Sequence, residues 1–193
     1  MKVGIYGGGF DPPHAGHINA AKSSLDFLGL DLLYIVPAFI SPLKSSTPAA
    51  TPGQRLEMCR IAFSFNKRIK ICDFEIKREE ISYTADTIKH FLDIYPKGTN
   101  TLYLIFGTDQ LRQLDRWRNY NYIIENAVIA VVSRFKEGID TAEVEKYKAL
   151  GANIVLVDME EIEVSSTDIR NGKNISLLDS KVKEYVDKNG LYK

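Results

Sequence analysis

The chain has 193 residues, 45% hydrophobic and 26% charged, and its 25 Lys plus Arg balance 25 Asp plus Glu to a formal net charge of zero. These are the values of one globular domain with a real core, and they exclude disorder, a fibrous repeat and a protein that grips nucleic acid through bulk charge. No apolar run nears the ~20 residues of a membrane span, the short apolar run after Lys2 predicts no secretory leader, and Cys59 and Cys72, with neither a Cys-x-x-Cys nor a zinc spacing, are expected to be buried, reduced thiols.

Short β-like runs alternate with longer helical ones. Val3 to Tyr6 reads as a first strand, stopped by Gly7-Gly8-Gly9, and Ala15 to Leu28 as a helix with Ile18, Ala21, Leu25 and Leu28 at spacings of three and four. Leu32 to Val36 is a second strand, ended by Pro37. Residues 37–53 carry Pro37, Pro42, Pro48 and Pro52 among Ser and Thr, and a loop of that length inside a compact domain is usually functional or mobile. Gln54 to Phe65 is a helix, Ile69 to Ile76 a third strand, and Thr84 to Ile94 a helix closed by Pro96 and Gly98. Thr101 to Phe106 and Ala127 to Val132 are apolar throughout, as strands buried on both faces must be. Thr141 to Leu150 is a helix, Ile154 to Val157 the last strand, and residues 166–171 and 180–189 finish the chain as helices. The alternation predicts an α/β fold: a Rossmann-like, doubly wound parallel sheet with helices on both faces and a helical C-terminal end.

The most informative segment lies between the first strand and the first helix: Gly7-Gly8-Gly9-Phe10-Asp11-Pro12-Pro13-His14-Ala15-Gly16-His17. In an open α/β sheet, ligands bind outside the carboxyl ends of the strands. Three glycines permit positive φ and let a ligand approach the backbone. The helix behind them offers unsatisfied N–H groups and a positive dipole end, with two histidines on one face there. The arrangement suits a phosphate. It is not the dinucleotide fingerprint, because Pro12 stands where Gly or Ala is needed, and no Gly-Lys-Ser/Thr follows to make a Walker loop. A metal site on His14 and His17 lacks the usual spacing and an obvious third ligand.

His14-x-Gly16-His17, after a glycine-rich turn with Asp11-Pro12, resembles the HxGH signature of the nucleotidylyltransferase superfamily. Ser165-Ser166-Thr167-Asp168-Ile169-Arg170 resembles that superfamily's second motif, ISSTxIR. Further segments are similar to the bacterial nicotinate-nucleotide adenylyltransferase family: Ser41-Pro42-Leu43-Lys44, Arg55-Leu56-Glu57-Met58, the run from Glu79 through Ser82-Tyr83-Thr84 to Thr87, Gly107-Thr108-Asp109-Gln110-Leu111 with Trp117 downstream, and the ending through Gly190-Leu191-Tyr192. Gly9, Leu43 and Thr108 depart from that family's usual residues, and neither histidine is lost. The resemblance spans nearly the whole chain and implies a single domain, residues 1–193.

It also implies an activity: adenylyl transfer from ATP to nicotinate mononucleotide, giving nicotinate adenine dinucleotide and pyrophosphate. A mononucleotide phosphate is already a nucleophile at neutral pH, so catalysis reduces to positioning and charge stabilisation. The resemblance assigns His14, His17, Lys44 and Arg170 to catalysis, with Lys44 closing over the leaving pyrophosphate and Arg170 offering a planar fork. It assigns Gly8, Gly9, Phe10, Gly107, Asp109, Arg134, Ser166 and Thr167 to ATP, with Asp109 on the ribose. Tyr83, Thr84 and Trp117 fall to the mononucleotide, with N–H groups near Tyr83 and Thr84 taking the nicotinate carboxylate. Trp117 is read equally well as a packing aromatic or as a stacking platform. His90, Tyr120 and Tyr122 are read as structural. Magnesium is expected only as Mg2+ carried with ATP, with no metal site on the protein. The expected setting is cytoplasmic, without nucleic acid or membrane, with a homodimer left open. Competing readings are a sister transferase using pantetheine phosphate or the amide mononucleotide, a catalytically silent nucleotide-binding module, and a nicotinamide-dependent redox enzyme. The SYTxDT-like segment and Trp117 count against pantetheine phosphate, an assay alone separates acid from amide, the retention of His14, His17, Lys44 and Arg170 counts against the silent module, and the missing third glycine against the redox enzyme.

Overall fold

The computed structural model describes residues 1–43, 47–134, 141–160 and 162–193, with Arg134 described in its backbone only. Six apolar runs pair into one sheet: β1 (Lys2–Gly8), β2 (Leu32–Pro37), β3 (Ile69–Ile71), β4 (Thr101–Gly107), β5 (Val128–Arg134) and β6 (Ile154–Met159). Their order is β3-β2-β1-β4-β5-β6 and every pairing is parallel. The order reverses between β1 and β4, which opens a crevice at the carboxyl ends of those two strands.

Period-2 alternation divides the side chains between two cores. Leu33, Ile35, Ile105, Ala130 and Val132 face α1 (Ala15–Phe27), α2 (Pro52–Ala62) and α9 (Ser180–Lys188). Val3, Ile5, Leu104, Phe106, Ile129 and Val131 face α4 (Thr84–Ile94), α6 (Tyr120–Asn126) and α7 (Thr141–Ala149). Helices therefore cover both faces, as the sequence predicts. Three short helices complete the description: α3 (Phe74–Arg78), α5 (Thr108–Leu111) and α8 (Ser166–Arg170). No described helix is long and apolar enough to cross a membrane.

The structure corrects the sequence in four places. The strand expected over Ile69–Ile76 stops at Ile71, and Phe74–Arg78 is helical. After Cys72 N donates to Ile35 O, the next ladder bond would need an N–H from Pro37, which has none. Asp73 opens the helix instead: its carbonyl accepts from Lys77 N at 2.8 Å and its carboxylate meets Lys77 Nζ at 3.1 Å. The helix expected from Gln54 begins at Pro52, behind a capping box in which Thr51 Oγ1 accepts from Gln54 N and Gln54 Oε1 accepts from Thr51 N. Cys59 is buried, but Cys72 is only half-buried. Finally, α5, α6 and the turns around Trp117 were not legible as helices, because each has too few residues to show a period.

Candidate active site

The glycine-rich turn leaves β1 at its carboxyl end. The positive φ expected of the glycines falls instead on Phe10, at +47°. A non-glycine residue in the left-handed region needs surrounding structure to hold it there. Phe10 has that: its ring is 2% exposed, edge-on to Tyr6, Phe63 and His17. Only its backbone can therefore serve a nucleotide. Gly8 is needed for a different reason: a Cβ there would stand 3.0 Å from the Phe10 ring.

His14 caps α1 and His17 lies one turn along, their rings 3.8 Å apart. The His14 N–H donates to His17 Nδ1 at 3.2 Å. That bond makes Nδ1 the acceptor, so in the neutral ring the proton sits on Nε2. Gly16 lets the pair close, since a Cβ there would lie 3.2 Å from both the His14 ring and Val164.

The second motif arrives at the same turn from more than 150 residues away in sequence. Ser165 caps α8, accepting from Asp168 N at 3.0 Å. Ser166 Oγ donates to Pro12 O at 2.9 Å, and Arg170 Nη1 donates to Asp11 O at 2.6 Å. Arg170 closes this five-residue helix rather than opening one, and its Nη2 reaches Thr167 Oγ1 at 3.1 Å.

Asp11 and Arg55 form a buried hub beneath the turn. The Asp11 carboxylate accepts from Ala49 N at 2.7 Å, Ala50 N at 3.0 Å and Tyr192 Oη at 2.8 Å. Arg55, 0% exposed, donates to the carbonyls of Gly9, Ala38, Phe39 and Ala50. Burial pulls its guanidinium below the ordinary range, and the Asp11 charge pushes back. One cation thus ties together the glycine turn, the segment after β2 and the entry to α2.

The segment after β2 leads to the other end of the site. Phe39 N donates to Ser82 Oγ and Ser82 N to Ile40 O, both at 2.9 Å. This bridge carries Tyr83, the N-cap of α4, to the rim of an open cleft of about 460 Å³ whose walls include Phe39, Arg78, Tyr83 and Arg118. A smaller hollow beside it is lined by Gly9, Asp11, Arg55, Ser166 and Arg170. Phe39 lines both, so the cleft and the phosphate-side hollow adjoin.

Of the residues singled out from sequence, Gly8, Gly9, Phe10, His14, His17, Ser166, Thr167 and Arg170 converge on the turn. Gly107 and Asp109 stand at the carboxyl end of β4, across the crevice, with Asp109 exposed and its Oδ2 accepting from Gln110 Nε2 at 3.1 Å. Tyr83 lines the cleft and Thr84 follows it as the first residue of α4, while Trp117, next in sequence to the cleft residue Arg118, packs on Phe106 at 5.4 Å. Arg134 ends β5, and Lys44 lies outside the described residues. His90 stacks on Phe74 at 4.0 Å, and Tyr120 and Tyr122 pack against the second core. Sequence reasoning gave no role to Arg55 and Tyr192, though both fall in segments that resemble the family, and did not single out Arg118. Arg55 had a signal: with Met58, Cys59 and Ala62 it lies at i, i+3, i+4 and i+7, the buried stripe of α2. Among the described residues, no group of three or more His, Cys, Asp or Glu could hold a metal ion.

Comparison with known proteins places this geometry. A family model described as cytidylyltransferase-like matches residues 5–172. A Flavobacterium johnsoniae protein named "Probable nicotinate-nucleotide adenylyltransferase" is 37% identical over 198 residues, covering 100% of both chains. A Roseiflexus castenholzii protein of the same name is 35% identical, covering 100% of this chain and 98% of its own. Plasmodium falciparum nicotinic acid mononucleotide adenylyltransferase complexed with NaAD superposes with a TM-score of 0.80 at 20% identity, covering 100% of this chain and 97% of that one. The same protein complexed with APC gives 0.77, covering 99% and 96%. At that identity the two structures speak to the fold, and the fold is shared. Matched end to end by these relatives and built on the same six-stranded sheet, the chain belongs to the nicotinate-nucleotide adenylyltransferase family of nucleotidyl-transferring enzymes.

Proposed function

We propose that the two motifs joined at the glycine turn form the centre at which this enzyme transfers the adenylyl group of ATP to nicotinate mononucleotide, a step of NAD biosynthesis. The convergence of Ser166 on Pro12 and Arg170 on Asp11 carries the assignment, because it gathers phosphate-binding groups from both ends of the chain over the β1–β4 crevice. A phosphate oxygen of the mononucleotide attacks the α-phosphorus of ATP. The new P–O bond forms as the bond to the bridging oxygen breaks, and pyrophosphate leaves with that electron pair. The nucleophile is already ionised, so no base is required. The site has to align the two phosphates and stabilise charge on the equatorial oxygens.

His17 suits that task through Nε2, since its Nδ1 is occupied by the His14 N–H. The backbone of Gly9 and Phe10 and the start of α1 supply fixed donors that need no reorganisation. Arg170 holds its guanidinium at the wall of the phosphate-side hollow. Asp109 is assigned the ATP ribose and Arg134 the adenine side. Lys44 is assigned the leaving pyrophosphate on the family resemblance alone. Magnesium enters as part of the MgATP substrate and offsets the charge of the departing pyrophosphate. At the other end, the first-turn N–H groups of α4, behind Tyr83, are suited to the nicotinate carboxylate. A cytoplasmic setting follows from the substrates.

The test is pyrophosphate release by the purified protein with MgATP and either nicotinate or nicotinamide mononucleotide. Turnover with the nicotinate form, and much less with the amide, is expected. Release with neither substrate would refute the reading, and equal efficiency with both would move it to a dual-specificity transferase.

A further inference from the structure

Two arginines line the cleft at the base end, and they differ in one respect. Arg78 is neutralised: its Nη2 lies 2.7 Å from Glu80 Oε2 and its Nη1 3.2 Å from Asp86 Oδ2. Arg118 has no hydrogen bond or ion pair among the described residues. Its guanidinium carbon stands 4.6 Å from the centroid of the Tyr83 ring instead. An aromatic face holds a guanidinium in plane without using its N–H groups, so five donors stay available in the cleft.

The backbone holds Arg118 in place. Tyr120 N donates to Trp117 O at 3.1 Å, closing a turn whose central residues are Arg118 and Asn119, and Asn119 takes the left-handed conformation at φ +55°. The residue before Arg118 is Trp117, whose ring packs on Phe106 at the end of β4. A flat platform and an uncommitted cation are therefore supplied by adjacent residues. The cleft is not a general anion trap, because Glu79 and Glu80 also line it. Any preference for a negative ligand has to be local to Arg118 and the start of α4.

We propose that Arg118 is a specificity-determining residue: stacked on Tyr83, it is the cation that meets the carboxylate of the pyridine ring and selects the acid mononucleotide over the amide. The inference rests on the proposed function and names the side chain behind its choice of substrate. A guanidinium satisfies both oxygens of a carboxylate, whereas a carboxamide presents it with one oxygen and an NH₂ that a guanidinium, having no acceptor, cannot take. The Trp117 platform does not discriminate, since both rings present the same face.

Trp117 is the only tryptophan in the sequence, so its fluorescence reports occupancy of this end directly. Nicotinate and nicotinamide mononucleotides are titrated into the native enzyme and into Arg118→Gln and Arg118→Lys, with pyrophosphate release measured in parallel. A charge-assisted hydrogen bond of this kind is worth about 10–100-fold in binding. Arg118→Gln should lose about that factor for the acid, seen in Kd and KM rather than kcat, and lose far less for the amide. Arg118→Lys should recover part of it. Trp117→Phe, followed by kinetics, should weaken both substrates and leave their ratio unchanged. Because Arg118 is exposed, its variants are expected to melt with the native protein. An acid-to-amide ratio in Arg118→Gln equal to that of the native enzyme overturns the inference and leaves the proposed function standing. A native enzyme that neither binds nor turns over the acid in preference overturns both.

Discussion

The two ends of the site are built differently. At the phosphate end nearly every polar group is committed within the protein: Asp11 takes three donors on its carboxylate, Arg55 gives to four carbonyls without exposing any surface, and Arg170 and Ser166 reach back across the whole chain. At the base end Arg118 is exposed, Tyr83 and Trp117 are half-buried, and the Trp117 Nε1 is buried with no hydrogen-bond partner among the described residues. Phosphate transfer needs donors fixed before the charge develops, and a packed network fixes them. Base recognition needs only a platform and a few polar groups that distinguish one substituent from another. The first end should therefore be costly to alter in stability or turnover, and the second in mononucleotide binding and selectivity.

The largest effect is expected at Arg55. Arg55→Met removes the donor to the carbonyls of Gly9, Ala38, Phe39 and Ala50 and takes from the Asp11 carboxylate a buried cation that it interacts with. Breaking a buried charge network from one side costs about 3–5 kcal/mol. The denaturation midpoint should fall accordingly, with turnover lost even where the protein stays folded, because the turn and the post-β2 segment no longer share an anchor. A variant with native stability would show that the carbonyls find other donors and that the phosphate end is less preorganised than its geometry implies.

Next is His17→Ala. Loss of one preorganised donor to the developing charge typically lowers turnover by ~10²–10³. Stability should change little, since His17 is only half-buried and its bond to His14 N is part-buried. Single-turnover rates with saturating substrates separate this loss from weaker binding. Near-native turnover would remove His17 from the chemistry. Together with Arg55→Met, the variant divides the phosphate end into residues that build it and residues that act in it.

The sequence showed the acting residues more clearly than the building ones. His14, His17 and Arg170 belong to short motifs whose spacing is visible, and the strand–helix alternation predicted the sheet that brings them together. The hub was harder to see. Asp11 lies within the first motif, but its partners Ala49, Ala50, Arg55 and Tyr192 are set by packing between distant segments, and no local pattern records that. Arg55 was half-legible as a cation on the buried stripe of α2. The three glycines misled in one respect: the strained φ is borne by Phe10, because three aromatic neighbours hold its ring, and only tertiary structure could show that. The strand expected past Ile71 failed for a related reason, since Pro37 on a neighbouring strand decides where β3 can pair.

The smallest effect lies at the edge of the hub, where the chain ends. Tyr192 Oη donates to Asp11 Oδ1 at 2.8 Å, and burial together with the Asp11 carboxylate raises the phenol well above its ordinary pKa. The hydroxyl therefore stays protonated, and a donor, at any pH used for an assay. Tyr192→Phe deletes that bond, but Oδ1 keeps the Ala50 N–H and Oδ2 the Ala49 N–H, so the carboxylate is not stranded. The cost should be about 1 kcal/mol, the net worth of one hydrogen bond, rather than the larger penalty of an unsatisfied buried group. The ring still packs against the first core, which argues against a packing loss. A shift of that size in the denaturation midpoint, with kcat lowered less than tenfold and the acid-to-amide ratio unchanged, would keep Tyr192 with the building residues. A loss as large as that of Arg55→Met would instead make the C-terminal tyrosine the principal anchor of Asp11, and the two-ended picture would need its centre moved to the last residues of the chain.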